Sequence, residues 1–383
     1  MYNKLDNDLY KFTMQNAVYQ LFPDVDVEYK FQCRKEGVNL AQYASIIQDR
    51  IMDYCDNSQI SERDLRYMMA NFPYFSKGYF AFLKYHKSQY RNINIYTIGD
   101  DLELRIKGNW AQTILDEVPI LSIISETYMT EEYKGEGRYV NKALGVLCDK
   151  EEILEGSDIR FADFGTRRRF SVKTHEAVLN HLSQNNKKMI GTSNLMFAKH
   201  FGISSIGTMA HEWLQAGQAL THPSLGQKYM LENWLKVYKG QLGIALTDII
   251  GVDNFLDDFD LHLSNAYTGV RHDSGDPIVF GNKIIQHYKE LGINPMTKTI
   301  VFSDGLNFTQ MRGLQNHFEN MINISFGIGT NLTNDIPGTE PLPIVIKLVK
   351  VNGLPVAKIS DSSGKGMCED EAYLNYLNTI KGE

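Results

Sequence analysis

His211 stands in Ile206-Gly-Thr-Met-Ala-His211-Glu-Trp, where the short apolar run Ser204–Ile206 breaks at Gly207 and a helical pattern begins at Glu212. A glycine-marked strand-to-helix turn brings a side chain to the mouth of an α/β fold, where imidazole serves as base, metal ligand or phosphoryl acceptor. A satisfied interior histidine is the competing reading. No second histidine completes His-Glu-x-x-His, which argues against a zinc-protease helix. Arg271 lies in Gly269-Val-Arg-His-Asp-Ser-Gly275, a combination that serves poorly as core; its guanidinium fork suits a planar carboxylate. Asp248, Asp273 and Asp304 also end apolar runs. Such acids orient a histidine, bind Mg2+ or hold ribose hydroxyls, or else cap helices, and the cap reading is expected to hold for at least one. Phe326-Gly-Ile-Gly329-Thr330 reads either as a phosphate-binding turn or as glycines serving backbone geometry alone. Arg167, Arg168 and Arg169 are either phosphate grips or a solvated face. The Gly-Lys365 pair near the end lacks the upstream glycine and the following Ser/Thr of a nucleotide-binding P-loop, and no Gly-x-Gly-x-x-Gly follows a first strand.

These residues recur at the ends of short apolar runs, each followed by an amphipathic helical segment: Phe161–Arg167, Ile190–Asn194, Ile206–His211, Ala245–Asp248, Gly269–Gly275, Val301–Asp304 and Ile324–Thr330. Seven ends at irregular spacing suit a (β/α) barrel with one strand missing or borrowed, not a solenoid of fixed period. Before them, Val25–Cys33 and Leu102, Leu104, Ile106 alternate with period two, as half-buried antiparallel strands do. The expected division is an α+β domain over 1–130, completed by about 340–383, and a barrel-like catalytic domain over 131–339. Ile344–Asp361 alternates again and is expected to return to the first domain as a hairpin. The 383 residues carry a net charge of -7, which argues against a nucleic-acid-coating surface. The four cysteines, Cys33, Cys55, Cys148 and Cys368, form no Cys-x-x-Cys, and no apolar stretch is long enough to span a bilayer. A cytoplasmic setting is expected.

Taken together, Asn7-Asp-Leu-Tyr-Lys-Phe-Thr-Met14, Asp163-Phe-Gly-Thr-Arg-Arg-Arg, Gly191-Thr-Ser-Asn, Gly207-Thr-Met-Ala-His-Glu-Trp, Leu246-Thr-Asp, Gly269-Val-Arg-His-Asp-Ser-Gly-Asp-Pro and Phe326-Gly-Ile-Gly-Thr resemble the nicotinate phosphoribosyltransferases, type II phosphoribosyltransferases. The likeness runs as far as Leu354–Asp361. It implies an incomplete (β/α) barrel with an α+β domain built from both chain ends. The implied reaction joins nicotinate to phosphoribosyl pyrophosphate, giving nicotinate mononucleotide and pyrophosphate in NAD salvage, with ATP as co-substrate and Mg2+ as cofactor. By this resemblance ATP phosphorylates His211, and Asp248 holds its imidazole in the acceptor tautomer. Tyr10 and Phe164 sandwich the pyridine ring, Arg271 grips its carboxylate, and Asp273 and Asp304 contact ribose or Mg2+-bound water. Gly329 and Thr330 meet the 5-phosphate, and Arg167, with Lys347 or Lys358, meets other phosphate groups. The related nicotinamide enzymes are expected to carry an aspartate where this chain has Ser193. A hydroxyl donates to a carboxylate and an aspartate repels it, so nicotinate is favoured and Ser193→Asp is expected to shift preference toward nicotinamide. A barrel that binds a phosphoribosyl ligand without catalysis is the alternative from another class. Small-molecule substrates are the expected partners, and monomer and homodimer both stay open.

Overall fold

The computed structural model describes residues 3–362 and 366–381, which places the Lys365 segment outside the described residues. Strand β1, Asp26–Cys33, buries Val27, Tyr29 and Phe31 and turns Glu28 and Lys30 the other way, the period-two pattern of a sheet with one covered face. It sits at the centre of an antiparallel sheet of order β11-β10-β1-β3-β2. There β2 is Ile93–Ile98, β3 is Asp101–Asn109, β10 is Ile344–Val351 and β11 is Leu354–Pro355. The registers Tyr29↔Ile106 and Tyr29↔Leu348 put β10, from near the end of the chain, beside β1. The tail hairpin therefore returns as the alternation predicted.

A second sheet is wholly parallel, in the order β5-β4-β9-β8-β7-β6. Its strands are β4 Phe161–Asp163, β5 Met189–Thr192, β6 Ile244–Leu246, β7 Gly269–His272, β8 Thr299–Phe302 and β9 Asn323–Ile328. Parallel strands need crossovers, and helices such as Val172–Asn185, Gly226–Tyr238 and Pro277–Glu290 supply them. Six of the seven predicted run-ends are strands. The seventh, at 204–206, makes one parallel bridge, Thr192↔Ser205, with Ile206 N donating to Thr192 O at 2.9 Å. Thr208 Oγ1 donates to Ile244 O at 3.1 Å, so this segment touches both edge strands, β5 and β6. Gly191 makes the approach possible: a Cβ there would lie 2.2 Å from Ser204 O.

The helix His211–Leu220 joins the two sheets. Gln215 Nε2 donates to Leu348 O on β10 at 2.9 Å, and Gln218 exchanges hydrogen bonds with the Ala357 backbone. Beneath it Trp110, Trp213 and Trp234 are fully buried, with ring centroids 6.1 Å apart for the first pair and 5.3 Å for the second. Anchored on both sides, the helix has little freedom to move its first residue, His211. Among the described residues, no helix is long and apolar enough to cross a membrane.

Candidate active site

The carboxyl ends of β4, β7, β8 and β9 open into one cavity of about 500 Å³. Phe164, Arg167, Arg168, His211, Arg271, Asp273, Ser303, Asp304, Gly329 and Thr330 line it from the parallel sheet and its turns. Asp8 and Tyr10 face it from the start of the Leu9–Leu21 helix, and Arg34, Leu342, Lys347 and Lys358 from the two ends of the chain that meet in the antiparallel sheet. Of the residues predicted from sequence, Ser193 and Asp248 are not on its wall.

Asp248 lies directly behind His211. His211 Nε2 is 2.9 Å from Asp248 Oδ1, 3.3 Å from Asp273 Oδ2 and 2.8 Å from Lys358 Nζ. Asp248 also accepts from Ser274 Oγ at 2.7 Å and pairs with Lys358 at 2.8 Å. Burial, reinforced by the Lys358 charge, holds the His211 pKa down at about 4 against the pull of Asp248, so the ring is neutral near pH 7. Burial works the other way on Asp248, but the ring and Lys358 outweigh it and keep its carboxyl well below the usual carboxylate range. A proton on Nε2 satisfies the two carboxylates and leaves the lone pair on Nδ1; a bare Nε2 accepts from Lys358.

None of the three aspartates caps a helix. Asp248 is committed to His211, Asp273 Oδ1 accepts from Ser303 Oγ at 3.0 Å, and Asp304 stands on the cavity wall. The cap expected from one of them is supplied instead by Asp276, whose carboxylate accepts from Ile278 and Val279 N, and by Asn307 in a capping box. Asp248 pairs with Lys358 and Asp273 lies beside His211, so both are held at the site and not at a helix end. Burial would raise Asp273, but His211 and Arg271 keep it below its ordinary value.

Arg271 Nη1 donates to Met209 O at 3.2 Å, and its buried Nε has no hydrogen-bond partner among the described residues. The Phe164 ring rests on β9 because Gly327 has no side chain: a Cβ there would come within 2.3 Å of the ring. The three arginines divide. Arg167 and Arg168 reach the cavity, whereas Arg169 is buried in a bidentate pair with Asp6 at 2.7 Å and bonds Glu126. Lys347, on β10, has its pKa lowered to about 7 by burial and by the neighbouring Lys358 charge.

Ser193 is 1 % exposed and its hydroxyl donates to Asp8 Oδ1 at 2.8 Å. The group expected to meet the pyridine carboxylate is thus spent on a second carboxylate, which itself faces the cavity. Burial raises the Asp8 pKa, with Arg167 and the Ser193 hydrogen bond opposing. Asp8 ends no apolar run and so carried no strand-end signal; it holds the N-cap position of the Leu9–Leu21 helix with no side-chain cap bond. Arg34 and Lys358 carried no strand-end signal of their own, since they reach the site from the other sheet and its tail.

Two family descriptions match the chain: the nicotinate phosphoribosyltransferase (NAPRTase) family over residues 159–380, and its N-terminal domain over residues 5–125. A nicotinate phosphoribosyltransferase of Photorhabdus laumondii is 43% identical over 97% of this chain and 94% of its own length. The crystal structure of nicotinate phosphoribosyltransferase from Vibrio cholerae superposes with a TM-score of 0.92 at 38% identity, covering 99% of this chain and 93% of that one. That of Porphyromonas gingivalis gives 0.93 at 32% identity and covers 99% of both. Two domain matches that together take in both sheets, with full-length relatives well above the identity at which fold alone is shared, establish that this chain belongs to the nicotinate phosphoribosyltransferase family.

Proposed function

We propose that the chain joins nicotinate to phosphoribosyl pyrophosphate and couples this to ATP hydrolysis through a phosphohistidine at His211. One observation carries the reading: a neutral, buried imidazole flanked by Asp248 and Lys358 shares a cavity with a partly unpartnered arginine fork and two aromatic rings. The parallel sheet is read as an incomplete (β/α) barrel, with the 204–208 segment standing between β5 and β6. Residues 131–339 form this barrel-like unit, and 1–130 with about 340–383 the other.

Tyr10 and Phe164 hold the pyridine ring by stacking, and Arg271 pairs with its carboxylate. The ring nitrogen attacks the anomeric carbon as the bond to pyrophosphate breaks, so the site must polarise the leaving group and fix the approach of the nitrogen. Arg167, Lys347 and Lys358 neutralise the leaving charge, and Gly329 and Thr330 face the 5-phosphate. Asp273 and Asp304 would hold Mg2+ through water, since Mg2+ takes carboxylate and phosphate oxygens and keeps much of its hydration. Direct ligation by the His211, Asp248 and Asp273 cluster does not suit Mg2+, because one donor is a nitrogen and Lys358 already supplies the positive charge. Phosphate on His211 would add negative charge beside the pyrophosphate site and thereby link ATP to the binding equilibrium.

Product formation from nicotinate, nicotinamide and quinolinate, with and without ATP, tests the reaction: nicotinate should dominate and ATP should raise its yield. Incubation with γ-labelled ATP should leave acid-labile label on His211, lost in His211→Ala. An active preparation that takes up no label ends the coupling claim. A non-catalytic binder would keep its ligand affinity in His211→Ala and have no ATPase to lose. The substrates are small molecules, and a cytoplasmic setting fits the sequence.

A further inference from the structure

Beneath the cavity lies a buried ion cluster to which no role has yet been given. Lys11, next to Tyr10 on the Leu9–Leu21 helix, is fully buried, and its ammonium bridges the carboxylates of Glu117 and Glu212. Glu117 begins the Glu117–Glu132 helix; Glu212 follows His211. Burying two acids on one lysine carries a substantial desolvation cost, which further partners must offset. The two acids differ in their other partners. Glu212 Oε1 accepts from Trp110 Nε1 at 3.2 Å and Tyr29 OH at 3.4 Å, bonds that tie the two halves of the core together. Glu117 Oε1 turns outward to Arg167 Nη1 at 3.5 Å, and the Arg167 side chain beyond it is 42% exposed to the cavity.

We infer that Glu117, itself held by Lys11, is a positioning residue that fixes Arg167 for phosphoribosyl pyrophosphate. An arginine reaching into an open cavity has several rotamers, and ordering one on binding costs about 0.5–1.5 kcal/mol. A carboxylate anchored from behind removes that cost by holding one nitrogen while the rest of the fork stays free for phosphate. The directions of the acid titrations agree: burial raises both carboxyls and Lys11 opposes it in both, with Arg167 adding to the lowering at Glu117, which ends below its ordinary value, while Glu212 ends above. Glu117 has a cation on each side, Lys11 and Arg167, as an arginine anchor requires.

The inference rests on Arg167 meeting a phosphate group of the substrate, and the test separates the two. Michaelis constants for phosphoribosyl pyrophosphate and nicotinate are measured in Glu117→Gln, Glu212→Gln, Arg167→Gln and the Glu117→Gln/Arg167→Gln double variant, with thermal melting to follow folding. Glu117→Gln should raise KM for phosphoribosyl pyrophosphate about tenfold, the size of one pairwise interaction energy, and move KM for nicotinate no more than about twofold. The double variant should be no worse than Arg167→Gln alone. Glu212→Gln loses the same Lys11 contact and should lower the melting temperature without moving KM for phosphoribosyl pyrophosphate. Equal KM effects in both glutamine variants, or effects that multiply in the double variant, would reduce Glu117 to a structural ion and overturn the inference. No change in Arg167→Gln alone would instead remove the Arg167 assignment, and the inference with it. Should Glu117→Gln not fold, Glu117→Asp keeps the charge and the Lys11 pair but withdraws the carboxylate from Arg167; an unchanged KM there also overturns it.

Discussion

At residue 193 a single hydrogen bond decides what a substitution does. From sequence alone, Ser193→Asp reads as a swap of substrate preference, on the view that the serine faces the ligand. In the folded chain the hydroxyl is buried against Asp8, so an aspartate would set two carboxylates together at a position only 1 % exposed. A buried charge without a partner costs on the order of 3 kcal/mol or more unless one group takes up a proton. Ser193→Asp is therefore expected to lower the melting temperature sharply and to weaken both nicotinate and nicotinamide, whereas Asp8→Asn, which removes the carboxylate facing the cavity, should change the ratio of kcat/KM for the two. A stable Ser193→Asp enzyme with a switched ratio would refute this. Lys347 supplies a second expectation. With its pKa lowered to about 7, the ammonium is present below that value and lost as pH rises through it. The kcat/KM for phosphoribosyl pyrophosphate, which reports the free enzyme, should fall as pH rises from about 6 to about 8. Lys347→Met should start lower and lose that limb; a wild-type profile in the variant would dismiss the lysine. His211 is lowered too: held at about 4, it should show no titration near the ordinary histidine value, so labelling by ATP should stay level down to about pH 5.

The elements were legible where a periodic pattern was long or where a strand ended at a glycine. Val27, Tyr29 and Phe31 announce β1, and six of the seven run-ends became the parallel sheet because buried strands of three to six residues read as short apolar runs. The 204–206 segment did not become a full strand: it makes a single bridge to β5, at Thr192↔Ser205. Illegible from pattern were the contacts between elements: the Asp8–Ser193 bond spans 185 positions, and nothing in either segment's periodicity records it. The aspartate cap expected at one of three turns also failed, because cap preference is local while the pull of Arg271, Lys358 and His211 is not. At this scale Gly191→Ala is a sharp test. The added methyl would meet Ser204 O at 2.2 Å, a backbone atom that can yield only by moving the 204–208 segment that leads into His211. The variant should fold yet lose label incorporation at His211 well before it loses nicotinate binding. Parallel loss of both would point to general unfolding of the parallel sheet.

Across the whole molecule, the site exists only where the two chain ends meet. Tyr10 and Asp8 come from the first helix, Lys347 from β10 and Lys358 from the segment after β11, while His211, Arg271 and Asp273 come from the parallel sheet. The strand β10 lies between β1 and β11 and shares seven paired positions with β1, so it is interior to its sheet. Its removal would expose the ladder edge of β1 and uncover Gln215 and Gln218, whose side-chain amides donate to the backbone of residues 348 and 357. A chain ending at residue 342 therefore loses two site cations, a central strand and the hydrogen bonds that anchor the His211 helix. It should not merely be inactive: it should lack a cooperative thermal transition, because the Trp110, Trp213 and Trp234 stack beneath that helix draws its members from both halves. Supplying residues 343–383 as a separate peptide should restore a measurable fraction of folding, with association driven by the β1–β10 ladder. If the shortened chain melts cooperatively near the full-length temperature, residues 343–383 are not needed for folding and serve the site alone.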